Sequence, residues 1–317
     1  MALVLSEDHV RQLLSIDEAI EVVEEAFRHQ GEGVATTRPR QRVRFEGRTY
    51  HTMPAGAPGI AGLKTYMSGA GGTRFGVLLF STESGKLLAM LEASWLGRLR
   101  TGAASGVATK YLAREAATVV GMFGSGDQAE TQLLAVTAVR DIALVKVFSR
   151  TREACTEFCE RMNRQVRSEV VAMTHAEAVV EGSDVLITVT TAREPLFDGE
   201  LLSPGVHINA VGSNWAERQE IDATAVRRAD LIVVDSVEQA RIEAGDLLQA
   251  EQEGVAVWGR AVELGQIVAG RHPGRTEAEQ ITLFKSVGIA LEDIAAAARV
   301  YQRAREAGLG QEIDFLG

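Results

Sequence analysis

The stretch VVGMFGSGDQAETQLLAV, Val119 to Val136, decides the reading of this chain. A short apolar run of β-type residues passes directly into Gly124-Ser125-Gly126, and a helical pattern begins near Gln128. Strand, glycine turn and helix in that order make a dinucleotide-binding turn. Gly124 permits the tight turn and Gly126 lets backbone approach a pyrophosphate. Ala129 takes the third small position, where the helix packs closely on the strand. The start of the new helix turns its unpaired N–H groups and positive dipole end toward the phosphates. The competing reading of the same residues is a tight structural turn in some other α/β protein.

A second β-rich run, Ile142 to Phe148, follows and ends at Ser149-Arg150-Thr151. A site that prefers NAD carries Asp or Glu at the end of this strand, about 20 positions past the glycines, to hold the ribose 2′-hydroxyl. No acid stands there. Ser149, Arg150 and Thr151 offer hydroxyls and a guanidinium instead, which suit a 2′-phosphate. NADP(H) is therefore the expected cofactor, with NAD(H) possible because the two hydroxyls also serve a bare ribose. Arg150 as a solvated loop charge is the plainer alternative.

From Ala117 onward strands and helices alternate. The strand candidates are 118–123, 142–148, 170–173, 185–189, 207–211 and 231–234, the order of a doubly wound parallel sheet. The region before them reads differently. Ile16 to Phe27 has helical spacing behind Ser15, a plausible N-cap. Extended segments then run over 41–45, 48–53, 62–67, 75–81 and 86–92, with a helix over about 99–112. A long helix over roughly 286–307 returns at the end of the chain. The predicted plan is a Rossmann-type domain, 114–289, inserted in a discontinuous α+β catalytic, substrate-binding domain of 1–113 plus 290–317.

The chain has 317 residues, enough for one large or two ordinary domains with real cores. With 33 Lys and Arg against 43 Asp and Glu it carries a net charge of −10 and no compensating basic run, which argues against nucleic acid or an anionic membrane as partner. No stretch approaches the ~18 continuous apolar residues of a membrane span. MALVLSEDHV turns acidic at once and has no charged leader or cleavage pattern, so a cytoplasmic protein is expected. Cys155 and Cys159, four apart on a predicted helix, read as packing residues, and six scattered histidines predict no metal site.

Three basic residues precede the glycine turn in suggestive settings: Arg40 in TRPRQRV, Lys64 in GLKTY and Arg100 in GRLRTGAAS. Arg holds a carboxylate by two parallel hydrogen bonds and so fixes orientation as well as charge. Lys64 follows an apolar run, so it is either desolvated and able to trade protons near neutral pH, or it snorkels outward. Surface charges are the common alternative for all three.

Taken together, RPRQRV, Met53-Pro54-Ala55 read as a turn, GLKTY, LRTGAAS, GSGDQA, AVGSNWAERQEID and TLFKSVGIALEDIA make the chain resemble the ornithine cyclodeaminase/μ-crystallin family over nearly its whole length. That family includes alanine dehydrogenases and ketimine or cyclic-imine reductases, and its members are homodimers built through the non-Rossmann domain, which implies that 1–113 plus 290–317 is also the dimerisation domain. The resemblance implies that Arg40, Lys64 and Arg100 surround a substrate carboxylate and the reacting centre. It also implies Asp127 and Gln128 at the pyrophosphate, and Ser149, Arg150 and Thr151 around the adenosine ribose. Thr190, Asn209, Ala210, Val211, Gly212, Ser286 and Val287 would lie toward the nicotinamide.

Two departures bear on activity. Asn214 stands where the cyclodeaminases carry an aspartate, and Asn cannot act as a base near neutral pH. His51 stands where they carry a glutamate suited to ornithine's distal ammonium. The expected activity is NAD(P)H-dependent reduction of an imine beside a carboxylate, cyclic or formed from a 2-oxo acid and an amine, to give an amino acid. Asn214 and His51 would then help the proton path and shape the distal pocket. A cyclodeaminase-type lyase, or a protein that binds NADPH and a small ligand without turnover, are the alternatives.

Overall fold

A computed structural model describes residues 1–315; the last two positions of the expected 290–317 segment, Leu316 and Gly317, lie outside the described residues. The chain divides into two units, Met1–Ala103 together with the chain from Gly288 onward, and Ala104–Val287.

The first unit opens with β1 (Ala2–Leu5), α1 (Glu7–Leu13) and α2 (Ile16–Glu32). Ser15 caps α2 in a reciprocal box with Glu18, and Gly33, at φ +79°, ends the helix in the left-handed region. Then come β2 (Thr36–Thr37), β3 (Gln41–Phe45), β4 (Arg48–Ala57), β5 (Ile60–Gly69), β6 (Arg74–Ser81) and β7 (Leu87–Glu92). The helix α3 (Ser94–Leu112) follows and runs through the boundary at residue 103. It starts five residues before the expected 99, because the Glu7 carboxylate accepts the backbone N–H groups of Ser94 and Trp95 and so caps its first turn.

With a last short strand, β16 (Gln311–Ile313), the order is β16-β1-β7-β6-β5-β4-β2, with β3 also on β4. Register sorts the side chains into two faces. Met53, Lys64, Val77 and Leu91 stand opposite one another and are buried, whereas their neighbours Leu63, Leu78 and Met90 are half-buried. Met53-Pro54-Ala55 is not a turn: it lies inside β4, with Pro54 paired to Leu63. The proline is tolerated because β4 changes partner there, from β3 (residues 48–52) to β2 (55–56), so no ladder N–H is missing. Arg40 sits in the matching break between β2 and β3.

The second unit contains β8 (Val119–Phe123), α4 (Ala129–Val139), β9 (Leu144–Phe148), α5 (Arg152–Met162), β10 (Glu169–Ala172), α6 (Ala176–Val180), β11 (Val185–Thr188), β12 (His207–Ala210) and α7 (Ala223–Arg228). It continues with β13 (Leu231–Val234), α8 (Val237–Glu243), α9 (Gly245–Gln252), β14 (Ala261–Glu263), α10 (Leu264–Val268) and β15 (Thr282–Lys285). All strand pairs are parallel, in the order β10-β9-β8-β11-β12-β15-β13-β14. This is a Rossmann-type doubly wound sheet whose order reverses between β8 and β11, where such folds bind ligands. Alternate residues feed two apolar layers: Val120, Met122, Val185 and Ile187 on one face, Phe123 and Leu186 on the other. Cys155 and Cys159 are free thiols within the first layer.

The final helix, α11 (Ala290–Ala307), precedes β16 (Gln311–Ile313) and packs on β4, β5 and β6. It begins four residues later than expected. Gly288 adopts φ +74°, outside helical space, and the Ser286 hydroxyl and Val287 N–H both donate to the Asp235 carboxylate.

Candidate active site

A cavity of about 460 Å³ opens in the second unit at the ends of β8, β9, β11 and β12. Gly124, Ser125, Gly126, Asp127 and Gln128 form its floor, Phe148, Ser149 and Arg150 one side, and Thr190, Val211 and Gly212 the other. Gly124 turns the chain at φ +112°, and a β-carbon there would come within 2.6 Å of the Val189 carbonyl oxygen. A β-carbon on Gly126 would meet no protein atom within 4 Å, so the space over that peptide is open. α4 starts one turn later at Ala129, behind Gln128. Open space over a glycine, facing a helix N-terminus, fits a dinucleotide diphosphate. No acid occupies the end of β9, and Thr151 stands at the N-cap position of α5 with no capping hydrogen bond from its side chain.

The structure does not bring every residue implied by resemblance to this cavity. Asn209 and Ala210 are fully buried in β12, and the Asn209 amide donates to the Thr109 hydroxyl. Ser286 and Val287 are buried on Asp235. None of the four lines the cavity, and Thr151, expected at the adenosine ribose, is not among its lining residues either.

The three basic residues of the first unit are all buried. The Lys64 ammonium donates to Asp293 Oδ1 at 2.7 Å, and the Arg100 Nε donates to the same oxygen at 3.1 Å. Arg100 Nη1 donates to Glu292 Oε2 at 2.7 Å, and Arg40 Nη2 to the Gly288 carbonyl at 3.2 Å. The first turn of α11 thus sets Glu292 and Asp293 against Lys64 and Arg100. Gly288 is required here: a β-carbon would lie 2.7 Å from Arg100 Nη1.

Lys64 is desolvated and does not snorkel. Burial lowers its pKa to about 8, the Arg100 charge pushes the same way, and Asp293 opposes both. Beside it stand aromatic rings, Phe75 with its centroid 5.3 Å from the ammonium and Tyr66 at 6.0 Å. His51 stacks on Tyr66 at 4.1 Å between centroids, and its Nε2 lies 2.9 Å from the Ser68 hydroxyl. Burial first, then the Arg42 and Arg40 charges, lower the His51 pKa to about 4, so at neutral pH it is an uncharged ring. Asn214 is half-buried in the loop after β12.

Sequence reasoning missed Glu292 and Asp293, which look like ordinary first-turn acids until the fold brings Asp293 to Lys64, 229 positions away. It also missed Glu220 and β15. The acid lay in a run quoted for its resemblance and not for its charge.

The fold, the glycine turn and the buried basic cluster are matched by a family model, Ornithine cyclodeaminase/mu-crystallin family, over residues 1–308. The chain belongs to that family. One relative within it, the alanine dehydrogenase of Archaeoglobus fulgidus, is 38% identical over 99% of this chain and 98% of its own. A solved family member, Thermococcus litoralis Delta(1)-pyrroline-2-carboxylate reductase in complex with NADH and L-proline, superposes with a TM-score of 0.94 at 37% identity, covering 98% of this chain and 100% of that one. An archaeal alanine dehydrogenase dimer with bound NAD also has a TM-score of 0.94, at 36% identity, over 99% of each chain.

Proposed function

We propose that this family member is a nicotinamide-dependent reductase of an imine adjacent to a carboxylate, producing an amino acid. The observation that carries the reading is the buried cluster of Arg40, Lys64 and Arg100 at the start of α11, with Lys64 poised near neutral pH. Arg40 and Arg100 hold the substrate carboxylate and so fix the orientation of the C=N bond. Lys64, charged below about pH 8, keeps the imine nitrogen protonated and therefore electrophilic at carbon. Neutral His51 and Tyr66 form an apolar wall for the distal part of the substrate, which suits a ring or aliphatic chain better than an ammonium. The cofactor supplies the hydride when bound. Support also comes from relatives whose names describe reduction of pyrroline-2-carboxylate and alanine dehydrogenation.

Gly124, Ser125, Gly126, Asp127 and Gln128 would hold the diphosphate, and Ser149, Arg150 and Thr151 the adenosine ribose. With no acid at the end of β9, the site prefers NADPH over NADH, although two solved relatives hold NADH or NAD. Asn214, unable to act as a base, fits reduction better than cyclodeamination. The protein functions as a homodimer in the cytoplasm. The dimer forms through the second face of the first unit's sheet, where Leu63, Leu78, Phe80, Leu88 and Met90 are half-buried. The test is oxidation of NADPH and of NADH with pyrroline-2-carboxylate, piperideine-2-carboxylate, and pyruvate with ammonia or methylamine. Turnover with at least one imine, and a higher kcat/KM for NADPH, are expected. Silence with every imine contradicts the reading, and preference for NADH removes Arg150 from the ribose site.

A further inference from the structure

Beneath the cavity of the second unit lies a carboxylate that none of the proposed steps uses. Glu220 is fully buried. Its Oε1 accepts the Thr190 N–H at 2.6 Å and the Thr190 hydroxyl at 2.7 Å, and its Oε2 accepts the Gly212 N–H at 2.8 Å and the Thr188 hydroxyl at 2.9 Å. Thr190 and Gly212 both line the cavity, following β11 and β12 respectively. The fit is close enough that a β-carbon on Gly212 would sit 2.2 Å from Glu220 Oε1.

A second buried pair holds this acid in place. Asp246 Oδ1 accepts the backbone N–H of Glu220 at 2.6 Å and of Ile221 at 3.1 Å. The Lys285 ammonium lies 2.7 Å from Asp246 Oδ2 and donates to the Ser213 carbonyl at 2.9 Å, next to Gly212. Placing three charged side chains in the interior is costly, and a strand-end staple alone does not need them.

We propose that Glu220 is a positioning residue of the cofactor site: by taking the Thr190 hydroxyl proton it leaves that oxygen as a hydrogen-bond acceptor for the carboxamide N–H₂ of the nicotinamide. The inference rests on the reading of this cavity as the dinucleotide site. A hydroxyl has one hydrogen and two lone pairs. The Thr190 hydrogen goes to Glu220, and one lone pair takes the Ala192 N–H at 3.1 Å. What remains is a fixed acceptor at the cavity wall. The sheet order puts Thr190 on the opposite side of the glycine turn from Ser149 and Arg150, the side left for the nicotinamide once the adenosine half is assigned to β9. An amide cannot replace the carboxylate without conflict, because each oxygen already accepts a backbone N–H and an amide N–H₂ would face one of them.

The test compares dissociation constants for NADH and for its reduced 3-acetylpyridine analogue, in which a methyl replaces the carboxamide N–H₂. Binding is read by calorimetry or by fluorescence, without turnover. The wild-type protein is expected to bind the analogue about tenfold more weakly. Thr190→Ser, which keeps the hydroxyl, should retain that ratio, whereas Thr190→Val and Glu220→Gln should bring it within about twofold of unity. A wild-type ratio near one, or a ratio unchanged in Thr190→Val, overturns the inference even if Glu220→Gln does not fold. Should the wild-type protein bind neither NADH nor NADPH, the cofactor reading falls, and this inference with it.

Discussion

Lys64 shows how one residue is tuned by its neighbours. Burial and the Arg100 charge pull the pKa of this ammonium down, and Asp293 at 2.7 Å pulls it back up. The lowered pKa means the group is protonated below about pH 8 and neutral above it. If it protects the iminium proton, kcat/KM for imine reduction should be level below that pH and fall as pH rises through it. Asp293→Asn removes a contribution that raises the Lys64 pKa, so the falling limb should move to lower pH by about one unit or more. Lys64→Arg stays charged throughout, and its residual activity should lack the limb; a pH–rate profile of the three proteins checks both outcomes. The basic side of this cluster was legible in the sequence, since Arg40, Lys64 and Arg100 each lie in a distinctive motif. Its acidic side was not, because Glu and Asp in the first turn of a helix are expected on dipole grounds alone. Only tertiary folding shows that these two face inward.

At the scale of elements, the glycine turn and the wholly apolar strands were readable because their patterns are local. Ser15 with Glu18, the run from Val119 to Phe123 and Leu231–Val234 carry their own signals of capping and apolar continuity. β15 was not readable: its run TLFK starts and ends in polar residues that only the fold buries, and its place between β12 and β13 comes from the sheet. The start of α11 was misplaced for a related reason, since the backbone bend at Gly288 serves Arg100 and the turn itself rather than helix propensity. Gly288→Ala should therefore be costly in two ways. A left-handed backbone at a non-glycine residue costs about 1–2 kcal/mol, and the added methyl displaces the Arg100 guanidinium. A lower Tm and a KM for the imine raised by about tenfold or more are expected from thermal melts and steady-state kinetics. Loss of stability with KM unchanged would mean that Arg100 does not bind the substrate.

For the whole molecule, the two faces of the first unit's sheet divide the work. One face carries Lys64 and is covered by α11, while Leu63, Leu78 and Met90 on the other remain half-buried in a single chain. The proposed homodimer would cover that face with its symmetry-related copy. Leu78→Arg with Met90→Arg should yield monomers by sedimentation, and a double variant that remains dimeric would move the interface elsewhere. The central claim concerns hydride delivery to an imine carbon, and isotope transfer tests it most directly. The protein should be incubated with pyrroline-2-carboxylate and NADPH deuterated at nicotinamide C4, on each face in turn, and the proline analysed by mass spectrometry. One deuterium per proline at Cα from one face and none from the other is expected, with no labelled product from Lys64→Met although it still binds NADPH. Proline formed only from ornithine, with ammonia released and no deuterium gained, would contradict the reductase and establish a lyase.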